Sequence, residues 1–187
     1  MRKALILAAF VASPALAQDV VDGPGPNLVI EVAGVANGTV VIDMADHKAP
    51  KHVAQIVELA KSGAYDGVVF HRVIDGFMAQ TGDVSNGKAG GDLSMAGTGG
   101  STLPDLPAEF SDLAFARGVV GMARAADPDS ANSQFFINFN DNHFLNRQYT
   151  VYGRVISGME HVDKITRGEP PASPDRMITV RVAADVA

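Results

Sequence analysis

Hydrophobic and polar residues alternate in two neighbouring runs near the start of the chain. Residues 28–32 and 40–44 place large apolar side chains at every second position. This period of two is typical of a β-strand that buries one face. The turn-forming sequence Ala36-Asn37-Gly38 lies between the two runs. We therefore predict an antiparallel β-hairpin.

A helical pattern follows the hairpin. Pro50 suits the first position of a helix, and Gly63 suits its C-terminal end. Between them, apolar residues recur at the spacing of one helix face, namely Val53, Ile56, Val57 and Ala60. The pattern predicts a helix that begins at Pro50 and stops at Gly63.

A second helix is predicted close to the C-terminus. Ser157 followed by Glu160 has the spacing of a capping box, and Gly168 suits the helix end. The inner face of this helix would consist of Met159, Val162 and Ile165. We expect the helix to start at Ser157 and to end at Gly168.

The remaining strand patterns are short and are spread over the rest of the chain. The predicted strands are residues 68–74, 77–80, 118–123, 135–138, 150–155 and 177–182. In the last of these, Ile178, Val180 and Val182 share one face. Residues 82–107 are glycine-rich and aperiodic, and they are too long for an ordinary hairpin turn. We predict a functional surface loop there.

Many short strands and only two helices favour a mainly β protein. We predict a closed antiparallel barrel whose open ends are covered by the helices. Closure would also explain how such short strands avoid leaving unpaired edges. The sequence contains no internal repeat and no sign of a second domain, so one folding unit is expected.

The first seventeen residues have the pattern of a cleaved signal peptide. Residues 2–3 are basic, residues 4–11 form an apolar run, and an Ala-Leu-Ala cleavage site ends at Ala17. The apolar run is too short for a membrane anchor, which needs roughly 20 residues. A buried N-terminal helix is the alternative interpretation. We expect export without a stable membrane anchor.

The expected organisation is a signal peptide (1–17), a flexible lead-in that contains Pro-Gly-Pro (18–27), and one folded domain (28–187). The bacterial character of the leader favours a periplasmic location. Nothing in the sequence indicates an oligomer, so a monomer is expected.

Composition narrows the possible functions. The chain has no cysteine, which excludes disulfides, thiolate catalysis, cysteine-ligated zinc and a lipidated cysteine. Its formal net charge is −6, and the loss of basic residues 2–3 with the leader would make it −8. No basic stripe is visible, so a nucleic-acid partner is not expected.

Two segments combine arginine, amide and aromatic residues at high density. The first, FHRVIDGFMAQTGD, occupies residues 70–83, and the second, SQFFIN, occupies residues 133–138. Neither segment contains a nucleophile–base pair or a cluster of metal ligands. Any chemistry at these segments would therefore proceed without covalent attack.

The two segments resemble the signature regions of the cyclophilins, the peptidyl-prolyl cis–trans isomerases. A third match, VYGRV at residues 151–155, follows in the right order, and the similarity runs from about Leu28 to Val182. The chain is most similar to bacterial periplasmic members. The resemblance implies an eight-stranded antiparallel β-barrel capped by two α-helices and an isomerase without metal or cofactor. The implied partners are unfolded or flexible proline-containing polypeptides, whose folding after export the enzyme would assist.

The same resemblance assigns Arg72 as the electrostatic catalyst. Rotation about an X–Pro bond breaks amide resonance, with a barrier of about 18–20 kcal/mol, but it makes and cuts no bond. A permanently charged donor near the prolyl nitrogen would stabilise the twisted state. Gln80 is expected to orient Arg72 and the substrate backbone. The implied substrate-binding residues are Phe77, Met78, Gln80, Ala123, Arg124, Gln134, Phe136, Phe144, Leu145 and Tyr149.

Three positions depart from many eukaryotic cyclophilins. Phe144 stands where they carry tryptophan, and Tyr149 stands where they carry histidine. Without the indole N–H, the chain loses one donor for cyclosporin-like ligands, so weak cyclosporin binding is expected. Arg124 replaces an asparagine at a position where the family uses mainly the backbone. There we expect an altered substrate preference and retained activity.

Each of these residues also has a structural interpretation. Arg72 by itself would fit a salt bridge on a strand, and Phe77 or Met78 would fit an ordinary core. Because Phe135 and Phe136 are consecutive on a strand, one of them should face the core. The resemblance assigns Phe136 to the pocket.

His71 is expected to have a structural or surface role, and His47 and His52 are expected to be solvated polar residues. His71 points to the strand face opposite Arg72, and His47 and His52 fit no compact metal motif. Two other functions are weighed against the isomerase. A proline-peptide binder or chaperone with little turnover would be favoured if Arg72 or Gln80 were absent. A metal- or nucleotide-dependent hydrolase has no supporting motif.

Overall fold

The computed structural model describes residues 22–183. The predicted signal peptide and the first part of the lead-in lie outside the described residues. Within the described range the chain forms eight β-strands, two α-helices and one short 3-10 helix. In chain order these elements are β1 (Asn27–Ala33), β2 (Gly38–Met44), α1 (Pro50–Lys61), β3 (Arg72–Ile74), β4 (Met78–Thr81), β5 (Val119–Met122), β6 (Phe135–Asn138), the 3-10 helix (His143–Leu145), β7 (Val151–Ser157), α2 (Met159–Val162) and β8 (Arg176–Val182).

The strands pair antiparallel in one sheet, and across residues 22–183 their order is β3-β4-β6-β5-β7-β2-β1-β8. β1 and β2 form the predicted hairpin, in which Leu28 lies opposite Ile42 and Ile30 lies opposite Val40. All four side chains are buried, as the period of two predicts. The hairpin prediction is confirmed.

The expectation of a closed barrel is wrong, because the sheet has two ends, β3 and β8. β3 has only three residues, and Val73 on its outer edge pairs with Gly168 of a loop instead of with β8. In the described chain, the segment before β3 meets β8 at an isolated bridge between Val69 and Arg176. The result is a curled half-barrel in which a loop covers one edge.

The main core lies on one face of the curled sheet. It contains side chains from all eight described strands and from the inner faces of α1 and α2. Phe135 lies near its centre, edge-on to Tyr65 and Tyr152 with ring centroids 5.8 and 6.0 Å apart. Phe136 belongs to a second, smaller cluster that includes Met78 and Leu145. The prediction that these consecutive phenylalanines face opposite sides is confirmed.

The first helix follows the sequence pattern at both ends. Pro50 occupies its first turn, and Gly63 beyond its end has a φ of 71°, a conformation that glycine adopts without strain. The N-cap residue, Ala49, provides no side-chain hydrogen bond to the free amides of the first turn. A carboxylate from another part of the chain takes that role.

That carboxylate is Glu109, and it corrects our interpretation of His52. Glu109 accepts hydrogen bonds from the backbone N–H groups of Lys51 and His52 at 3.1 and 3.2 Å. It also lies 2.7 Å from Nδ1 of His52, whose side chain is buried. Burial lowers the pKa of His52. His52 is therefore a core residue and not the solvated one expected.

The second helix is shorter than predicted. It spans Met159–Val162 and has no capping box, because Ser157 ends β7 and Gly158 is the N-cap residue, with a φ of 85°. A Cβ atom on Gly158 would lie 2.1 Å from the carbonyl oxygen of Thr39, so close packing on β2 requires glycine there. No helix within residues 22–183 is long and apolar enough to cross a membrane.

The alternation predicted for the last strand also fails at one position. Between β1 and β8 the register shifts after Glu31, so that Thr179 pairs with Glu31 while Met177 pairs with Val32. Ile178 lies in this bulge and is 48% exposed, whereas Met177 is buried. An extra residue in one strand reverses the faces that follow it.

Candidate active site

One cross-strand row brings the predicted catalytic residue, Arg72, together with two predicted substrate-binding residues. Arg72 on β3 lies opposite Gln80 on β4, and Gln80 in turn lies opposite Phe136 on β6. The next position in the row is Gly121 on β5. A Cβ atom on Gly121 would lie 2.6 Å from the rings of Phe115 and Phe136, so glycine allows these rings to stack.

An apolar hollow of about 130 Å³ opens beside this row. Its floor is made of the second cluster, in which Met78, Phe136 and Leu145 are buried. Phe115 supports the floor by stacking on Phe136 at 5.8 Å. The lining residues of this hollow are Arg72, Phe77, Met78, Gln80, Ala123, Arg124, Phe136, Leu145 and Tyr149. Nearly all of the predicted site residues thus meet around one space.

Two predicted residues lie outside this hollow. Phe144 is 64% exposed and packs its ring against Phe77 with centroids 5.7 Å apart, so it extends the apolar rim. Gln134 lines a neighbouring hollow of about 470 Å³. Polar and glycine residues make up most of its lining, and it shares Gln80, Ala123 and Arg124 with the first hollow.

Arg124 contributes through its side chain, although mainly backbone contacts were expected at this position. Its guanidinium group lies 4.5 Å from the ring centroid of Tyr149, within the range of a cation–π contact. It also donates hydrogen bonds to the carbonyl oxygens of Ala125 and Gln148, each at 2.9 Å. Tyr149 itself stands edge-on to Phe136 at 5.9 Å. Arg124 therefore holds one wall of the apolar hollow in place.

The orientation of the Gln80 side chain follows from a chain of hydrogen bonds. The amide nitrogen of Gln134 donates to the carbonyl oxygens of Gly97 and Gly99, at 3.0 and 2.7 Å. The side-chain oxygen of Gln134, Oε1, therefore accepts a hydrogen bond from Nε2 of Gln80 at 2.9 Å. This leaves Oε1 of Gln80 as an acceptor for another donor at the groove.

Asp83 fixes the loop around Gly97 and Gly99, whose carbonyl groups start this series of hydrogen bonds. Its buried carboxylate accepts hydrogen bonds from the backbone N–H groups of Gly97 and Gly99 at 2.8 and 2.9 Å, and from that of Asn86 at 2.9 Å. Burial acts to raise the pKa of Asp83, but the hydrogen bonds outweigh it and the pKa is lowered. Asp83 belongs to the signature segment, yet sequence reasoning assigned it no role.

The charged partner of Arg72 was also missed. Nε of Arg72 donates to Oε1 of Glu169 at 2.6 Å, and the two side chains are 41% and 52% exposed. Gln80, which was expected to orient Arg72, donates to Gln134 instead. No local sequence signal points to Glu169, because it lies 97 residues further along the chain.

His71 is buried behind the groove, where its ring lies close to Gly97. Burial lowers the pKa of His71, although the charge of Asp83 opposes this effect. A neutral, packed imidazole agrees with the structural role expected. Within the described residues, no group of three or more His, Asp or Glu side chains is arranged to hold a metal ion.

The fold and the groove define a class of protein. Arg72 stands on the wall of the apolar hollow, the polar hollow lies beside it, and no nucleophile–base pair lines either space. The two hollows form one groove whose lining offers noncovalent contacts to a ligand. The family model for the cyclophilin type peptidyl-prolyl cis-trans isomerase matches residues 28–182. The chain belongs to this family, and the predicted family and isomerase class are confirmed.

Individual relatives agree with this assignment. A probable peptidyl-prolyl cis-trans isomerase of Brucella suis is 50% identical over 192 residues, covering 99% of this chain and 97% of the relative. A peptidyl-prolyl cis-trans isomerase of Acinetobacter baylyi is 38% identical over 160 residues, covering 78% and 80%.

Solved structures show the same fold. A cyclophilin from Hirschia baltica superposes with a TM-score of 0.75 at 28% identity, covering 88% of this chain and 76% of that one. A cyclophilin type isomerase of Cryptosporidium parvum, determined in the presence of the dipeptide Ala-Pro, superposes with a TM-score of 0.72 at 24% identity and covers 83% and 98%. Both support the mainly β architecture.

Proposed function

We propose that this protein rotates X–Pro bonds of unfolded or flexible polypeptides by noncovalent stabilisation of the twisted amide, with Arg72 as the catalytic residue. The observation that carries the proposal is the position of Arg72 on the wall of the apolar hollow floored by Met78, Phe136 and Leu145. The hollow is the place for the pyrrolidine ring, and the arginine stands at its edge.

In the proposed mechanism the proline ring is held while the preceding carbonyl group turns. As amide resonance is lost, the lone pair of the prolyl nitrogen localises and becomes a hydrogen-bond acceptor. The guanidinium group of Arg72 donates to it and cannot lose its proton. Because this bond forms only in the twisted state, it lowers the barrier, and each gain of about 1.4 kcal/mol raises the rate tenfold.

The other groove residues would position the substrate. Oε1 of Gln80, left as an acceptor by the bond to Gln134, is placed to receive a substrate backbone N–H. Ala123 and Arg124 border both hollows and would contact the residue before proline. The larger hollow beside Gln134 would take that residue's side chain. We infer that the polar lining of this hollow sets the substrate preference.

The test is the cis-to-trans conversion of an X–Pro tetrapeptide by the purified protein and by Arg72→Ala. We expect strong acceleration by the wild type and a loss of about tenfold or more in kcat/KM in the variant. Arg154→Ala is the matched control, because it removes an exposed arginine of β7 that lines neither hollow. A folded wild-type protein that binds the peptide without accelerating conversion would instead be a proline-peptide binder.

We also propose that the enzyme acts after export, in a bacterial periplasm, as a monomer. The basic residues 2–3, the apolar run 4–11 and the small-residue site ending at Ala17 support this location. Uncatalysed prolyl isomerisation takes about 10–100 s at 25 °C, which is slow enough to limit folding. An isomerase on the far side of the membrane would accelerate the folding of newly exported chains.

A further inference from the structure

The outer edge of β3 is covered by residues 167–169, which run antiparallel to it. Val73 and Gly168 exchange two backbone hydrogen bonds, of 2.8 and 2.9 Å. An ion pair flanks this bridge on each side. Arg167 Nε lies 3.1 Å from Asp75 Oδ1, and Arg72 Nε lies 2.6 Å from Glu169 Oε1.

The backbone places Glu169 beside Arg72 independently of their ion pair. Gly168 has a φ of 148°, and a Cβ atom there would lie 2.5 Å from Cα of Pro171, so the loop closes tightly at this point. Arg167 is anchored separately, since it donates to the carbonyl oxygen of Asp163 at 3.0 Å and lies 4.1 Å from the ring centroid of Phe139. Loss of the Glu169 carboxylate should therefore leave the loop in place.

Arg72 stands between two spaces, and only one of them is the apolar hollow. On its other side lies a hollow of about 240 Å³, lined by Glu169, Pro170, Thr98 and His71 among others. An arginine side chain has high rotamer entropy, and this second space gives it room to turn away from the substrate. Among the described residues Gln80 makes no side-chain hydrogen bond to Arg72, so it does not prevent this.

We propose that Glu169 is a positioning residue for Arg72, an inference that rests on the proposed function. Its carboxylate binds the Nε edge of the guanidinium group and thereby directs the terminal amino groups toward the prolyl nitrogen. Within the described residues, the bond to Glu169 is the only hydrogen bond of the Arg72 side chain, so those amino groups remain available to the substrate. Glu169 acts through Arg72 and touches no reacting atom.

The test measures kcat and KM separately for Glu169→Ala, Glu169→Asp and the wild type, on the X–Pro tetrapeptide. We expect kcat of Glu169→Ala to fall about fivefold while KM changes less than about twofold, as expected for one partly exposed ion pair that acts in the transition state. Glu169→Asp, which keeps the carboxylate, should recover part of this loss.

The matched control is Asp75→Asn, which removes the other ion pair of the same edge. Asp75→Asn should keep the wild-type kcat. If residues 167–169 only stabilised the edge of β3, Asp75→Asn and Glu169→Ala would be equally slow. In an Arg72→Ala background, Glu169→Ala should cause no further loss. An unchanged or faster Glu169→Ala enzyme, or the same fivefold loss without Arg72, would overturn the proposal. An inactive wild type would instead refute the proposed function itself.

The Arg72 Nε–H resonance in NMR gives a readout that does not depend on activity. In the wild type we expect a slowly exchanging proton shifted by the charge-assisted bond to Glu169. The signal should persist in Asp75→Asn and return to the position of a solvated arginine in Glu169→Ala. A wild-type signal already at the solvated position would contradict the proposal.

Discussion

Single residues decide the geometry of this groove at some distance from the substrate. Asp83 does so most clearly, because one carboxylate gathers the amides of Asn86, Gly97 and Gly99. The carbonyl oxygens of the same two glycines then orient Gln134, and through it Gln80. A buried charge is tolerated at this position because several donors replace its hydration.

At this scale we predict that Asp83→Asn lowers the free energy of unfolding at pH 7 by about 2 kcal/mol, since bonds to a charged acceptor are weakened. The pKa of Asp83 is lower in the folded protein. Its stabilising effect is therefore complete above the unfolded-state pKa of about 3.9, and it is lost as the pH falls through the folded-state value. Urea unfolding from pH 7 to acid should show the two proteins converging. A constant difference at all pH values would contradict this account.

The resemblance to the cyclophilin signature segments predicted some residues of the site and missed others. Arg72, Met78, Gln80 and Phe136 could be placed from the signature segments alone, and they do meet in one row and one hollow. Glu169 could not, because its contact with Arg72 is made by two parts of the chain 97 residues apart. Local sequence patterns cannot predict an ion pair between residues so far apart in the chain.

The elements of this fold were largely predictable, and their failures have local causes. The first hairpin and α1 follow from periodicity with turn and cap residues. α2 was predicted too long, because Gly158 must pack against Thr39 on β2, and this contact sets the helix start. Ile178 was assigned to the wrong face because a bulge shifts the register after Glu31. Both effects arise from a neighbouring strand.

The start of α1 provides a test at the element scale. Glu109 caps the first turn, so Glu109→Gln should lower the free energy of unfolding by about 1–2 kcal/mol at neutral pH. Burial acts to raise the pKa of Glu109, but its bonds to His52 and Lys51 lower it overall. The difference should therefore shrink on acidification below the unfolded-state pKa of about 4.3.

Urea unfolding measures this effect, and Glu58→Gln is the control. Glu58 is an exposed carboxylate on the same helix. Its replacement should change stability by less than about 0.5 kcal/mol. If both variants lost the same free energy, the cap would have no special role.

At the scale of the whole molecule, the open sheet explains how the site is built. Residues 167–169 cover the edge of β3, and they bring the carboxylate of Glu169 to Arg72. A fully closed ladder between β3 and β8 would pair that edge with a strand instead. Because the half-barrel stays open, the edge of β3 is free to pair with the loop that places Glu169 beside Arg72.

The predicted leader is tested on the full chain. In a bacterium with two membranes, we expect the protein in the periplasmic fraction with Gln18 as its first residue, identified by mass spectrometry, because cleavage follows Ala17. Leu7→Arg should retain the precursor in the cytoplasm by breaking the apolar run. A wild-type protein that keeps residues 1–17 and stays cytoplasmic would refute export.

The monomer prediction has its own measurement. Light scattering of the mature form should give the mass of one chain.

The sequence by itself determined the family, the approximate positions of the strands along the chain, the first helix and the residues around the apolar hollow. These depend on local period, turn chemistry and dense signature segments, which are properties of neighbouring residues. Only the tertiary structure decided that the sheet stays open, that Glu109 caps α1 and that Glu169 holds Arg72. The physical reason is that strand edges, bulges and ion pairs depend on which distant segments meet, and these meetings are set by packing of the whole chain.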